Sequence, residues 1–190
     1  IAVQADDIGT CIEFVRADVF ADFSAGFARN GIASDYLHSE RFCDSPFCLS
    51  EITVKESNPK YDSREGCNAI IFKEANCLIA GCRNTVIPSS ITYIGRSAFG
   101  DCTGLHEIVI PSSVIKICDD AFSGCTGLHK IVIPSSVTEI GKGAFEGCEM
   151  LNSITFQGSI AQWEEIILHE DWNSEVLAKV VHCTDGDVEI

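Results

Sequence analysis

Basic residues are scarce in this sequence. The chain has 13 lysines and arginines against 28 aspartates and glutamates, which gives a formal net charge of -15. Nucleic acids and anionic membrane surfaces are polyanions and repel a protein of this charge. We therefore expect no nucleic-acid partner.

The sequence also lacks a long apolar run. No stretch approaches the roughly 18 apolar residues that a membrane-spanning helix needs. The first ten residues, IAVQADDIGT, contain none of the basic residues that open a secretory signal peptide. We therefore predict that this part of the protein does not insert into a membrane. With 190 residues, of which 46% are hydrophobic, the chain is long and apolar enough to bury a core.

Cysteine, in contrast, is abundant, with 11 residues. In a small secreted protein such a number first suggests a disulfide framework. However, Cys102, Cys125 and Cys148 recur at a constant spacing of 23 residues, so each takes the same place in successive copies of a repeat. Because a reduced cysteine behaves as a small buried hydrophobic residue, we predict that most of the thiols are free.

Three consecutive copies of a 23-residue repeat occupy residues 86–108, 109–131 and 132–154. They read VIPSSITYIGRSAFGDCTGLHEI, VIPSSVIKICDDAFSGCTGLHKI and VIPSSVTEIGKGAFEGCEMLNSI. A period between 20 and 29 residues, with leucine and isoleucine at fixed offsets, is typical of a leucine-rich solenoid in which each copy forms one turn of a coil. The predicted fold is therefore a β-rich solenoid with a parallel sheet of short strands.

Within each copy, the period-2 pattern predicts which side chains face the core. Ile108 and Ile110 lie on one side of a short strand and Val109 on the other. Pro111 ends the strand, because a recurring proline belongs where the sheet needs no amide hydrogen. Phe122 fills a corner of the coil. Equivalent leucines, isoleucines and phenylalanines of successive copies should stack into columns about 4.8 Å apart.

The flanks of the repeats lead to three predicted regions: an N-terminal helical segment or cap at 1–40, leucine-rich repeats at 41–156 and a C-terminal cap at 157–190. Residues 49–85 are predicted to be an enlarged turn of the coil, in which AII and CLIAG pair as a hairpin across the polar turn KEAN. The helix is predicted because apolar residues recur at helical spacing before a glycine stop. The apolar residues are Ile12, Val15, Val19, Phe23 and Phe27, and the glycine stop is Gly31. In the cap, Trp163 is predicted to take the place that Ile140 has in the previous copy.

The pattern IPSSVxxIxxxAFxxCxxLxxI resembles the leucine-rich repeats of the BspA-like family, which occurs in surface proteins of bacteria and some protists. Upstream, NPxYDSR and CNAII…LIAGC resemble the enlarged turn of such proteins, and downstream AQWEEIILHEDWN…VVHCTDG resembles their C-terminal cap. The similarity covers roughly residues 49–186. It implies a secreted or cell-surface bacterial protein with an adhesion-type role, whose leader peptide is not part of this sequence.

Packing or solvent exposure explains the other arrangements of reactive residues in the sequence. Cys102 and His106 have a spacing compatible with zinc, but the cysteine should face the core and the histidine the exposed side. Cys77 and Cys82 invite a disulfide or redox role, but nothing beside them lowers a thiol pKa in an obvious way. Adjacent carboxylates are expected to be solvated, and no serine has triad-like neighbours. We predict no metal, no cofactor and no enzymatic activity.

Two hypotheses about function remain. The first is an interaction module that binds a protein or glycan partner through the exposed face of its parallel sheet. By alternation, that face should present His106, Glu107, Val109, His129, Lys130, Val132, Asn152, Ser153 and Thr155. The second is a spacer or capping segment of a larger surface protein, without a ligand of its own. In either case we expect a monomer.

Overall fold

The computed structural model describes residues Ala2–Ala5, Ile12–Phe14, Glu51–Val54 and 56–190. From residue 56 onward the chain winds into a coil whose successive turns, here called rungs, stack on one another. The described strands are β1 (Ala2–Ala5), β2 (Ile12–Phe14), β3 (Glu51–Val54), β4 (Tyr61–Asp62), β5 (Ala69–Phe72), β6 (Cys77–Gly81), β7 (Tyr93–Ile94), β8 (Lys116–Ile117), β9 (Lys130–Ile133), β10 (Glu139–Ile140), β11 (Ser153–Phe156), β12 (Ile167–Leu168), β13 (Val180–Cys183) and β14 (Gly186–Glu189). A 3-10 turn spans Arg64–Gly66, and an α-helix, α1, spans Ile160–Glu164.

Two sheets run along the coil. The front sheet has the order β14-β13-β11-β9, and the back sheet has the order β12-β10-β8-β7-β6-β5-β4. Strands of successive rungs pair in parallel, with Ile154 beside Ile131 in the front sheet and Ile140 beside Ile117 in the back sheet. The parallel β-solenoid predicted from the repeat is therefore the observed architecture.

The core lies between the two sheets and consists of columns of identical residues. Leu105, Leu128 and Leu151 are all fully buried. The rings of Phe99 and Phe122 stack with centroids 5.0 Å apart and an interplanar angle of 4°. Phe122 and Phe145 repeat this arrangement at 5.3 Å and 1°. Identical residues at identical positions thus pack in the same way in every rung, which is why the sequence repeats.

A third hydrogen-bonded ladder, here called the corner ladder, runs past the stacked phenylalanines. The Phe99 amide donates to the Ala121 carbonyl, and the Phe122 amide donates to the Ala144 carbonyl, both at 2.8 Å. The chain turns this corner through left-handed backbone positions that recur in each rung. Their φ values lie between 51° and 70° at Ser97, Asp120, Gly143, Asp101, Gly124 and Gly147. Glycine and small polar residues tolerate this conformation best, which explains the composition of the corner.

Short polar side chains tie each rung to the one before it. The Cys125 thiol donates to the Phe99 carbonyl at 3.0 Å, and the Cys148 thiol donates to the Phe122 carbonyl at 3.1 Å. The Ser113 hydroxyl donates to the Ile91 carbonyl at 2.7 Å. The recurring cysteine is therefore both a core residue and a hydrogen-bond donor. The second serine of the PSS at 111–113 and at 134–136 donates to the preceding rung in the same way.

The hairpin predicted in the enlarged rung is present. β5 pairs antiparallel with β6, the polar turn lies between them, and the register shifts between Ile70 and Ile71. At the end of β6, the Gly81 amide donates to the Ala98 carbonyl, as the phenylalanine amides do in later rungs. Gly81 therefore occupies the phenylalanine position of its rung.

The predicted N-terminal helix is wrong where the structure can be compared with it. Residues 12–14 form β2, which pairs antiparallel with β1, and β1 pairs in parallel with β3. Pairing with a neighbouring strand overrides the local helical pattern here, because backbone hydrogen bonds to a sheet edge outweigh a weak propensity. The rest of the predicted helix, at 15–31, and the degraded repeat predicted at 41–48 lie outside the described residues.

The C-terminal residues 157–190 form a further rung rather than a region that breaks the pattern. Leu168 pairs with Ile140, so the prediction that Trp163 takes this place is wrong. The extra residues form α1, which begins at Ser159 with a capping box closed by Gln162. Trp163 lies in this helix and packs against Phe156 and Trp172. β13 then joins the front sheet, and β14 pairs antiparallel with β13.

Candidate interaction surface

The outward side of the front sheet, here called the front face, carries ordered columns of side chains. Lys130 pairs with Ser153, and Val132 pairs with Thr155, between β9 and β11. Val109 extends the second column through an isolated parallel bridge to Val132. The amide of Asn152 donates to the His129 carbonyl at 3.0 Å, which aligns the residues that directly precede β11 and β9.

The structure places the nine predicted residues on the surface to different extents. His106, Glu107, Val109, His129, Lys130 and Asn152 are exposed, and Val132, Ser153 and Thr155 are half-buried. Val109 stands out because 82% of it is accessible to solvent, whereas its neighbours Ile108 and Ile110 are buried. At that exposure, Val109 contributes little to the core.

Two charged residues of the front face form an ion pair across rungs. Lys130 Nζ lies 3.8 Å from Glu107 Oε2, and both side chains are more than half exposed. Solvent and salt screen such a pair strongly, and it contributes little to stability. It does neutralise this part of the front face in a protein that is otherwise strongly acidic.

Two histidines of the front face stack on one another. The rings of His106 and His129 have centroids 6.0 Å apart and are tilted by 14°. His106 Nδ1 lies 3.1 Å from the Gly127 carbonyl, so this nitrogen carries the proton and donates it. A Cβ on Gly127 would come within 2.2 Å of the Thr103 carbonyl oxygen and within 3.0 Å of His106 Nδ1. The absence of a side chain at Gly127 therefore makes room for the backbone of the preceding rung first and for the His106 ring second.

Sequence reasoning missed two residues of this surface. Val86 is 70% exposed and holds the same place in the first copy as Val109 does in the second. Alignment of all three copies would therefore have identified it. His182 pairs with Thr155 through β13, and its Nδ1 lies 2.8 Å from Asp187 Oδ1. The repeat period could not predict His182, because α1 lengthens the last rung.

The thiols serve packing rather than chemistry. Free thiols are present at Cys67, Cys77, Cys118, Cys125, Cys148 and Cys183, as predicted for most of the cysteines. Burial raises the pKa of Cys77 to about 12, and the nearby Cys118 adds to this effect. Burial also raises the pKa of Cys125. Such thiols are protonated at neutral pH and are poor nucleophiles.

The spacing that suggested zinc does not produce a site. Cys102 and Cys125 are buried, whereas His106 and His129 are exposed on the front face, so the thiols point away from the imidazole rings. Among the described residues, no group of three or more histidine, cysteine and acidic side chains is placed to hold a metal ion. Within the same residues, no helix is long and apolar enough to cross a membrane.

A line of charged side chains crosses the outward side of the back sheet. Lys116 Nζ lies 2.8 Å from Glu139 Oε1, and His169 Nε2 lies 3.0 Å from the same oxygen. The hydrogen bond from Lys116 lowers the pKa of Glu139, and His169 lowers it further. The back sheet is thus covered by paired charges, unlike the valine column of the front face.

A family described as the BspA type leucine-rich repeat region matches residues 71–173, which is more than half of the chain. The chain belongs to the BspA-type leucine-rich repeat family. No curated protein matches it significantly. The family and its fold are typical of proteins without enzymatic activity, and the absence of activity in this chain stays a prediction.

Three solved structures resemble this BspA-type protein. A leucine-rich repeat protein from Eubacterium ventriosum is 27% identical, with a TM-score of 0.51 over 57% of this chain and 30% of its own. A leucine-rich cell surface protein from Faecalibacterium prausnitzii is 28% identical, with a TM-score of 0.36 over 64% and 45%. The pneumococcal vaccine antigen PcpA is 20% identical, with a TM-score of 0.46 over 72% and 40%. The chain therefore spans less than half the length of each.

Proposed function

We propose that this BspA-type protein is an interaction module displayed at the cell surface, which binds a protein or glycan partner through the front face. The observation that carries the proposal is the column formed by Val109, Val132 and Thr155, in which the most exposed member is a valine. Exposed apolar side chains in an ordered row favour a contact surface over open water. Membership of the family supports surface display.

The surroundings of this column suit a partner without strong charge. Glu107 and Lys130 neutralise each other beside it, and the stacked rings of His106 and His129 present flat surfaces. Polar and aromatic groups next to a small apolar patch are common at recognition surfaces. The front face therefore differs in chemistry from the acidic remainder of the protein.

We also propose that residues 157–190 act as a cap for the stacked phenylalanines. Trp172 packs edge-on against Phe145 at 6.2 Å, and the Phe145 amide donates to the Trp172 carbonyl. Trp163 packs on Trp172 in turn, and both tryptophans are buried. Large aromatic side chains here shield the end of the apolar column, as terminal repeats of solenoids must.

Binding by the front face is tested with a combined variant, His106→Ser, Val109→Ser, His129→Ser and Val132→Thr. Wild type and variant are applied to arrays of purified extracellular proteins and glycans, and thermal unfolding is measured in parallel. We expect the variant to lose the signals of the wild type while its melting temperature stays within a few degrees, because these side chains are not in the core.

The matched control is Ile115→Ser, which removes an exposed apolar side chain next to the back sheet, outside the front face. It should bind as the wild type does. If the front-face variant binds equally well, the front face is not the binding site. If the wild type binds nothing on the arrays, the spacer hypothesis is favoured.

A further inference from the structure

The two sheets end differently in the terminal rung. In the front sheet, β14 covers β13, and Val188 and Ile190 pack against the core behind it. In the back sheet, β12 is the last strand, and no strand of the described residues pairs with its outer edge. Among the described residues, both sheets therefore end in a strand with an unpaired outer edge, β14 in the front sheet and β12 in the back sheet. The two edges differ in their side chains: β14 exposes Asp187 and Glu189, whereas β12 exposes Ile167 and Leu168.

The backbone of β12 is oriented to accept another strand. In the preceding rung, the Ile140 carbonyl accepts a hydrogen bond from the His169 amide at 3.0 Å. Leu168 is in register with Ile140, so its carbonyl points in the same direction, toward the open edge. A strand edge with outward-facing backbone groups is a template for pairing with a further chain.

The side chains of β12 also lack the cover that earlier rungs have. Leu168 continues the column of Ile94, Ile117 and Ile140, which are all fully buried. Leu168 itself is 37% exposed, and Ile167 is 59% exposed. An aliphatic residue placed beyond Leu168 would bury this surface at about 25 cal/mol per Å² of apolar area.

Acidic residues flank β12 in sequence. Residues 157–190 contain eight carboxylates and one lysine, a large share of the net charge of the chain. Those next to β12 in sequence are Glu164, Glu165, Glu170 and Asp171, and all four are exposed. Glu170 Oε2 lies 3.8 Å from Lys142 Nζ of the preceding rung, an exposed pair that solvent screens. A second copy of the protein would bring the same charges to the same place and would be repelled. A basic segment would be attracted.

We propose that the outer edge of β12, here called the β12 edge, binds an extended basic segment of a partner protein by strand addition. In this mode, backbone hydrogen bonds hold the incoming strand, and alternate side chains give selectivity. One aliphatic side chain covers Leu168, and lysine or arginine side chains lie near Glu164 and Glu170. This site is separate from the front face and does not depend on the function proposed there.

The test uses the full chain and a fluorescein-labelled synthetic peptide in which valine and lysine alternate. Binding is followed by fluorescence anisotropy, against a peptide with glutamate in place of lysine and a peptide with a fully N-methylated backbone. We expect both control peptides to bind at least about tenfold more weakly, since one reverses the charge and the other removes every amide donor. Binding should also weaken as salt is raised from about 0.05 M to about 0.5 M.

Two variants of the protein locate the site. Leu168→Asn removes the apolar residue of the edge, and Leu177→Asn is the matched control, since Leu177 is a 60% exposed leucine of the same rung outside β12. We expect Leu168→Asn to weaken peptide binding about fivefold or more and Leu177→Asn to leave it within about twofold. Thermal unfolding of both variants distinguishes lost binding from lost folding.

Several results would overturn the proposal. Equal binding of the N-methylated peptide would mean that charge alone holds the peptide, without strand addition. Equal effects of the two leucine variants would place the site elsewhere. Self-association of the wild type in sedimentation velocity, abolished by Leu168→Asn, would make a second copy of this chain the occupant instead of a basic partner.

Discussion

Gly81 lies directly beneath the ring of Phe99, at the N-terminal end of the stacked phenylalanines. A Cβ at Gly81 would come within 2.2 Å of Cε1 of that ring. Because Gly81 occupies the phenylalanine position of its own rung, the absence of a side chain there makes room for the first ring of the stack. The enlarged rung and the regular repeats are joined through this contact.

We predict that Gly81→Ala destabilises the protein by about 1–3 kcal/mol, because overpacking displaces a buried ring. Urea unfolding followed by circular dichroism measures the change. Ser135→Ala, at an exposed position, is the control and should be close to neutral. Combining Gly81→Ala with Phe99→Leu should cost less than the sum of the two single changes, and simple additivity would contradict the contact.

The buried thiols of the repeats should resist alkylation. We predict that Cys125 and Cys148 of the native protein react with iodoacetamide at least about tenfold more slowly than Cys183, which is only half-buried. Peptide mapping by mass spectrometry after timed labelling resolves the individual sites. In denaturant without reductant, all three should react at similar rates. Fast native labelling of Cys125 would contradict its burial and its hydrogen bond to Phe99.

Stability should fall in alkaline solution through Cys77. Its folded pKa is about 12 because of burial, whereas an unfolded thiol has a pKa near about 8.5. Above the unfolded value, only the unfolded chain releases the proton, so the free energy of unfolding decreases as pH rises. Between pH of about 7.5 and about 9.5, we expect the wild type to lose about 1 kcal/mol more than Cys77→Ala. Equal losses in urea unfolding would show that this thiol is not responsible.

Removal of one whole repeat should leave a folded protein. Deletion of residues 109–131 joins Ile108 to Val132, and the new neighbours carry the same core residues at the same positions. The shortened chain should keep a cooperative thermal transition and a β-type circular dichroism spectrum. Deletion of 11 residues from the same copy is the control and should unfold the protein, because it shifts the register. A shortened chain that is equally unfolded would contradict independent stacking of the rungs.

The repeat period predicted those features in which every copy behaves alike. The buried leucines, the phenylalanine stack and the outward direction of Val109 all follow from the alternation of apolar residues and their recurrence. The corner ladder was not predicted, because its amides bond across rungs while the backbone takes left-handed turns that no apolar pattern records. The thiol hydrogen bond of Cys125 was missed for the same reason, since a buried cysteine looks apolar in sequence.

The errors occurred where the period is interrupted. A constant 23-residue spacing predicts that Trp163 takes the place of Ile140, but α1 takes up the added residues and Leu168 occupies that place instead. At the N-terminus, residues 12–14 have apolar spacing that suits a helix, yet β1 and β3 provide a sheet for them. Local patterns do not reveal which backbone hydrogen bonds a distant segment offers.

The corner ladder also has an electrostatic direction. Along the corner ladder, backbone amides of one rung donate to backbone carbonyls of the next rung. For example, the amides of Ser97, Phe99 and Asp101 donate to carbonyls within residues 119–123. These peptide dipoles therefore add along the corner ladder, just as peptide dipoles add along the axis of an α-helix. Their positive pole points toward the terminal rung, where Glu170, Asp171 and Glu175 are exposed. The corner ladder thus has an electrical polarity of its own, opposed elsewhere in the coil by amides such as those of Thr138 and His169, which donate to the preceding rung. At the corner, the acidic rung lies at the pole that negative charge stabilises.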